Sequence, residues 1–179
     1  AATFEDFEGL IKTVESSEPR FQGARRVENV LSNSTDFSGW YKVSTAVLTA
    51  GQTDPLGGTT AWRLGASGGQ GYILKGTNAA LVPVGATVQS SIWMRRVTGT
   101  GLIQCYSGQN GGTRQSITGI TTEWQRFSLV PVVKDLANAQ WGPVVIVDGD
   151  EIDFWHPQHE IVTGQTNQNP SEYVSTGVV

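Results

Sequence analysis

Cysteine occurs once, at Cys105, so no intrachain disulfide can form and stability has to come from packing and hydrogen bonding. The lone thiol reads as a small buried apolar residue, because a nucleophilic cysteine wants a base nearby and the chain has only His156 and His159 to offer. Charge is sparse as well: 16% of residues are charged and the net charge is −4. The only adjacent bases are Arg25 with Arg26 and Arg95 with Arg96, so no basic stripe exists to neutralise a run of phosphates, and nucleic acid is excluded as a partner. Long apolar runs are missing too. "VVIV" at 144 to 147 is far short of a bilayer span, and "AATFEDFEG" lacks a basic region followed by an apolar one, so the expectation is a soluble chain with no export signal and no membrane insertion.

Catalytic motifs are equally absent: there is no Walker loop, no nucleophile elbow and no zinc-protease motif. His156 and His159 straddle Pro157, and three positions apart on an extended strand they point to opposite faces, which disfavours a shared metal. A carboxylate pair for glycoside hydrolysis is defined by distance in space, so sequence alone does not test it. Only Asp153 and Glu160 lie where an apolar surrounding would raise a carboxyl pKa. The reading is a protein that is not an enzyme and requires no cofactor.

What is present in abundance is glycine, 22 residues of it, cutting the chain into short apolar runs. Residues 1–31 concentrate acids and bases without clean alternation. They read as an extended or partly helical lead-in, with "EGLIKTVE" the one candidate helical stretch before Pro19. Residues 32–179 read as one domain with a polar, irregular C-terminal tail. Its candidate strands are "GWYKVSTAVLT", "TTAWRLGA", "GYILKG", "TVQSSIWMRR", "GLIQCYS", "WQRFSLVPVV", "WGPVVIV" and "EIDFWHPQHE", separated by "DPLGG", "SGGQG", "VTGTG", "SGQNGGT" and "VDGDE". Eight strands and no helix of core length predict an all-β fold, two antiparallel sheets packed face to face.

Within "SSIWMRR", period-two alternation that sends Ile92 and Met94 to the core turns Trp93 and Arg95 outward. In "GLIQCYS", Ile103 and Cys105 alternate with Gln104 and Tyr106. If "VTGTG" is a hairpin turn, Trp93 pairs opposite Gln104 or Tyr106, and Gln89, Trp93, Arg95, Gln104 and Tyr106 form one aromatic platform with polar edges. Such a platform suits a sugar, whose apolar ring face stacks on indole while its hydroxyls take hydrogen bonds at the rim; it suits a glycan better than an anion. Trp141 and Tyr72, in the loop-like contexts "AQWGP" and "GQGY", are further candidates for the rim of a groove, whereas Trp40, Trp62, Trp124 and Trp155 read as core. The competing reading has Trp93 covered by a loop, by the lead-in or by another subunit. The acidic turn "VDGDE" makes Asp148 and Asp150 the best ligands for a structural calcium; its bland alternative is a hairpin turn in which Asp148 and Gly149 set the backbone.

Taken in order, "PRFQGARRVENVLSNSTDFSGW", "GGTTAWRLGAS", "VGATVQSSIWMRR", "TTEWQRFSLV" and "DFWHPQHE…YVSTG" resemble the jelly-roll module, similar to carbohydrate-binding modules, of bacteriophage tail fibres, head fibres and decoration proteins. The resemblance spans about residues 19–177. It implies a jelly roll on a virion or other extracellular surface, contacting host polysaccharide or other virion proteins, and, by the fibre analogy, a homo-oligomer such as a trimer. It also implies a structural Trp124, and a calcium between the chain start and the last strand. The closing segment reads "WHPQHE" where the module has one similar to "WGAQLE", and no motif of the module fixes sugar-contacting residues. The expected function is non-catalytic glycan recognition; the alternative is a decoration or fibre domain that serves assembly without binding sugar.

Overall fold

The computed structural model describes residues 27–76, 81–107, 113–135 and 140–175, together with the backbone of 2–5 and 11–14. Strands β1 (Ala2–Glu5) and β2 (Ile11–Val14) pair antiparallel as a separate two-stranded sheet, so 11–14 of the stretch expected to be helical are extended. The rest of the lead-in up to residue 26, the expected turn around 108–112 and the last four residues of the tail lie outside the described residues.

The body is a sandwich of two antiparallel sheets, as the alternation predicts. Its larger sheet runs β10 (Gln125–Ser128), β7 (Thr87–Thr98), β13 (Glu151–Ile161), β5 (Ala61–Ala66), β4 (Ala46–Gln52), with β11 (Val132–Val133) also on β7. The smaller sheet runs β3 (Tyr41–Lys42), β6 (Gly71–Gly76), β12 (Gln140–Val145), β8 (Ile103–Ser107), β9 (Arg114–Ile117). Two expected strands break, and one strand was not expected. The segment 39–49 breaks at Val43, whose carbonyl accepts the Ala46 N–H, and its halves join different sheets. The segment 124–133 splits around Pro131, which has no N–H to give the ladder. Strand β9, largely polar, lies in no expected strand.

Ile92 and Met94 from the larger sheet meet Ile103, Cys105 and Val145 from the smaller in one buried core. Burial pushes the Cys105 thiol up to about 12, which removes the thiolate at neutral pH and agrees with an inert apolar residue. Phe37 closes one part of the core, edge-on to Trp40, Trp62 and Phe154 at centroid distances of 5.0, 5.7 and 4.8 Å. Gly142 on β12 has no room for a side chain: a Cβ there would lie 1.9 Å from the Ile73 carbonyl oxygen of β6.

The segment "VTGTG" is a crossing from one sheet to the other. The Gly101 N–H donates to Asp150 at 2.7 Å and the Arg96 guanidinium donates to the Gly101 carbonyl at 2.8 Å, which pins the crossing beside the start of β13. Strand β7 therefore pairs with β13 and β10, and β8 with β12 and β9. The expected pairing of Trp93 with Gln104 or Tyr106 does not form.

Candidate carbohydrate-binding face

Because β7 and β8 belong to different sheets while Ile92, Met94, Ile103 and Cys105 all point inward, the expected platform divides into two outer faces. Gln89, Trp93 and Arg95 lie on the outside of the larger sheet. Gln104, Tyr106 and Tyr72 lie on the outside of the smaller one.

The larger sheet's outer face is engaged within the chain. Arg95 and Arg63 clamp Asp153, which is 0% exposed, at 2.8 to 3.0 Å, and Arg95 also sits 5.1 Å over the Trp124 ring. Trp93 is half-buried and edge-on to Trp155 at 6.5 Å. Trp155 is buried, but on this outer face and not in the core: His156 stacks on it at 3.3 Å and Tyr173 of the tail stacks on His156 at 3.7 Å. His156 reaches that position at φ 46°, in the bulge between Trp155 and Gln158. Burial drops its pKa to about 4, opposed by the nearby Asp54 carboxylate. The tail then crosses the sheet: Ser171 donates its N–H and hydroxyl to Glu160 at 3.0 and 2.9 Å, and its carbonyl accepts from Arg126 at 2.6 Å. Gln89 is buried, donating to the Leu129 carbonyl at 2.9 Å. The tail laid over Glu160 and His156 and the burial of Gln89 leave this face poorly suited to stack a sugar.

The smaller sheet's outer face has the opposite character. Leu74, Val144 and Tyr106 form an apolar floor with Tyr72 and Ile146 packed against it. Tyr41, 61% exposed on the edge strand β3, lies 6.4 Å from Tyr72 with the rings tilted by 35°, and Tyr72 lies 5.7 Å from Tyr106, edge-on. Arg114 of β9 reaches across the face, 4.4 Å over the Tyr106 ring and 5.8 Å over Tyr72. Its guanidinium donates to Gln70 Oε1 at 2.9 Å and to the Tyr106 hydroxyl. Tyr106 is thereby roofed, 8% exposed, so Tyr41 and Tyr72 are the rings free to stack. Burial beside Tyr106 and Tyr41 raises the Tyr72 phenol, which stays protonated and able to donate. Gln104 pairs in register with Ser116 and Val144 and donates to the Ser116 hydroxyl at 3.4 Å. Residues Tyr41 and Arg114 were not singled out from sequence; the signal available was "TRQSI", where Arg114 and Ser116 alternate with Gln115 and Ile117.

Trp141 departs from its expected place at the rim of a groove. "AQWGP" reads as a loop, but Gln140 opens β12, and Trp141 is 0% exposed in the core, edge-on to Trp40 at 6.0 Å.

The expected cation ligands serve the backbone and an arginine. Asp148 accepts the Gly68 N–H at 2.7 Å, and Asp150 accepts Gly101 N–H and pairs with Arg96 at 3.2 Å. A guanidinium at that carboxylate does not fit a calcium site, and among the described residues no group of three metal-ligating side chains gathers. His159, the second histidine, is buried on the inner side, with Nδ1 2.6 Å from the Ser90 hydroxyl; burial lowers its pKa to about 3.

No family model and no curated protein matches the sequence. Solved structures do. The C-terminal family 22 carbohydrate-binding module of Clostridium thermocellum Xyn10B aligns with a TM-score of 0.53 and 10% identity, covering 79% of this chain and 94% of that one. TmCBM61, solved with β-1,4-galactotriose, aligns with a TM-score of 0.50 and 13% identity over 75% of this chain and 99% of that one. The enzymatically active domain of bacteriophage CBA120 tailspike protein 4 aligns with a TM-score of 0.50 and 15% identity over 75% of this chain, which spans only 21% of the tailspike chain. At such identities the likeness establishes the fold, a two-sheet sandwich of the carbohydrate-binding-module type.

Proposed function

We propose that this chain is a non-catalytic carbohydrate-binding module of a phage surface protein, and that it binds polysaccharide on the outer face of the smaller sheet. The observation that carries the reading is the run Tyr41, Tyr72, Tyr106 over an apolar floor, edged by Gln104, Ser116, Gln70 and Arg114. Tyr41 and Tyr72 stack on sugar rings, and the amides, hydroxyls and guanidinium take the ring hydroxyls. Two partly exposed rings contribute on the order of 1 kcal/mol each beyond their area, so a single module binds weakly, and display as a trimer or a virion array makes it effective.

A non-catalytic role is supported by the carboxylates. The five strands of the smaller sheet carry no acidic residue, so these strands supply no acid–base pair to the face. Asp153 and Glu160 are already committed, to two arginines and to Ser171. The phage setting, with other virion proteins as partners, is supported by the order of the sequence motifs and by the fold likeness to a tailspike domain. Affinity electrophoresis against a polysaccharide panel tests the reading: retardation that Tyr41→Ala and Tyr72→Ala reduce is the expected result.

The hairpin β1–β2 favours a second reading. It belongs to neither sheet of the sandwich, and two strands alone are marginally stable in water, so it would serve assembly by pairing with a neighbouring virion protein. Removal of residues 1–26 would then abolish oligomer or particle binding and leave any glycan retardation intact.

A further inference from the structure

We infer that the polysaccharide taken by the smaller sheet is acidic, bearing carboxylates of the uronate type; the inference rests on the glycan-binding reading above. Charge is segregated between the two sheets. The chain as a whole has a net charge of −4, yet the strands of the smaller sheet hold no acid at all; Lys42 and Lys75 stand in register with the core residues Ile73 and Trp141, so Arg114 is the charged residue that these strands turn to the outer face. On the larger sheet Arg63 and Arg95 are balanced by Asp153 and Glu151, Arg96 pairs with Asp150, and Arg126 is spent on the Ser91 hydroxyl and the Ser171 carbonyl under the tail. Among the described residues Arg114 has no carboxylate partner: its bonds go to the Gln70 amide and the Tyr106 hydroxyl, both uncharged.

Position makes that difference matter. Arg114 lies at the Tyr106 end of the tyrosine run, 4.4 Å over the Tyr106 ring and 5.8 Å from Tyr72, so a chain that stacks on Tyr41 and Tyr72 and continues across the sheet towards β9 covers it. A neutral glycan would strip water from an unpaired guanidinium and return only weak hydroxyl contacts, which is unfavourable. A carboxylate offsets that loss with charge-assisted hydrogen bonds. Guanidinium has five N–H groups, and two of Arg114's are used within the protein, which leaves donors for a ligand. Tyr106 and Gln70 hold the planar head in place, so little side-chain freedom is lost on binding.

The test measures affinity for polygalacturonate, alginate, hyaluronate and xanthan, each alongside its carboxyl-reduced form, and for neutral xylan and galactan. Wild type, Arg114→Gln, Arg114→Lys and Tyr41→Ala are compared, with circular dichroism and thermal melts reporting that each is folded. The expected result is that the tightest ligand is acidic and loses roughly 10-fold or more on carboxyl reduction. Arg114→Gln should erase that preference, Arg114→Lys should keep part of it, and Tyr41→Ala should weaken the acidic and reduced forms alike. Binding that is tightest to a neutral glycan, or indifferent to carboxyl reduction or to Arg114→Gln, overturns the acidic assignment while leaving glycan binding standing. Binding to none of them overturns both.

Discussion

Trp93 on β7 and Tyr106 on β8 look away from each other across the full thickness of the sandwich, although only twelve positions separate them in the chain. The core residues beside them, Met94 and Cys105, belong to opposite sheets and meet in the middle. The two aromatics accordingly have different employments: Trp93 helps pack Trp155, which carries the His156 and Tyr173 stack, and Tyr106 supports an open face.

Replacement of Tyr41 by alanine should weaken polysaccharide binding roughly 5- to 10-fold and leave the melting temperature within about 1–2 °C of wild type, since its ring is mostly in solvent. Tyr106→Ala should lower both, because its ring is part of the floor under Arg114. Isothermal titration with parallel thermal melts separates the two behaviours.

Asp153→Asn should destabilise the fold by about 1–3 kcal/mol, because it leaves Arg63 and Arg95 facing a neutral amide. The arginine heads keep partial contact with water, which holds the loss below that of a fully buried pair. Glycan affinity should not change, as the residue is on the other sheet. Urea unfolding monitored by tryptophan fluorescence gives the first quantity and the binding assay the second.

Acid should weaken the fold well before the aspartates titrate. His156 and His159 have folded pKa values pressed down to about 4 and about 3, against about 6.5 when unfolded. The unfolded chain thus binds more protons below pH 6.5, and stability, level above that pH, falls as pH drops towards 4 and 3. Each histidine contributes a slope of up to ~1.4 kcal/mol per pH unit, smaller for the partly exposed His156. Urea midpoints between pH 7.5 and 5 measure it, and His159→Gln should flatten the curve.

Truncation after Asn169 removes Ser171 and Tyr173, leaving Glu160 and Gln158 without their tail partners and uncovering one side of His156. The melting temperature should fall, and fluorescence from Trp93 and Trp155 should shift to the red as water reaches them.

Alternation made most of the strands legible, and with them the inward set Ile92, Met94, Ile103 and Cys105. What alternation does not encode is which sheet a strand joins. "VTGTG" has the composition of a hairpin turn, and the interactions that make it a crossing, Asp150 and Arg96 on Gly101, come from residues distant in sequence. The same holds at Trp141, where Gly and Pro suggest a loop, yet Gly142 is needed so that β12 can approach the Ile73 carbonyl. Of the candidate site, Gln104 and Tyr106 were reachable because they alternate with core positions, and Tyr72 because "GQGY" reads as a loop with an open ring, although the residue stands on β6. Tyr41 and Arg114 were not, because one is on a two-residue strand and the other on a strand that is mostly polar.

Affinity electrophoresis of wild type, Tyr72→Ala and Trp93→Ala in gels containing each polysaccharide of an acidic and neutral panel tests the central assignment most directly. Retardation by at least one polysaccharide that Tyr72→Ala removes and Trp93→Ala preserves is the predicted result. Retardation lost with Trp93→Ala but kept with Tyr72→Ala, or none on any polysaccharide with folded protein, would contradict it.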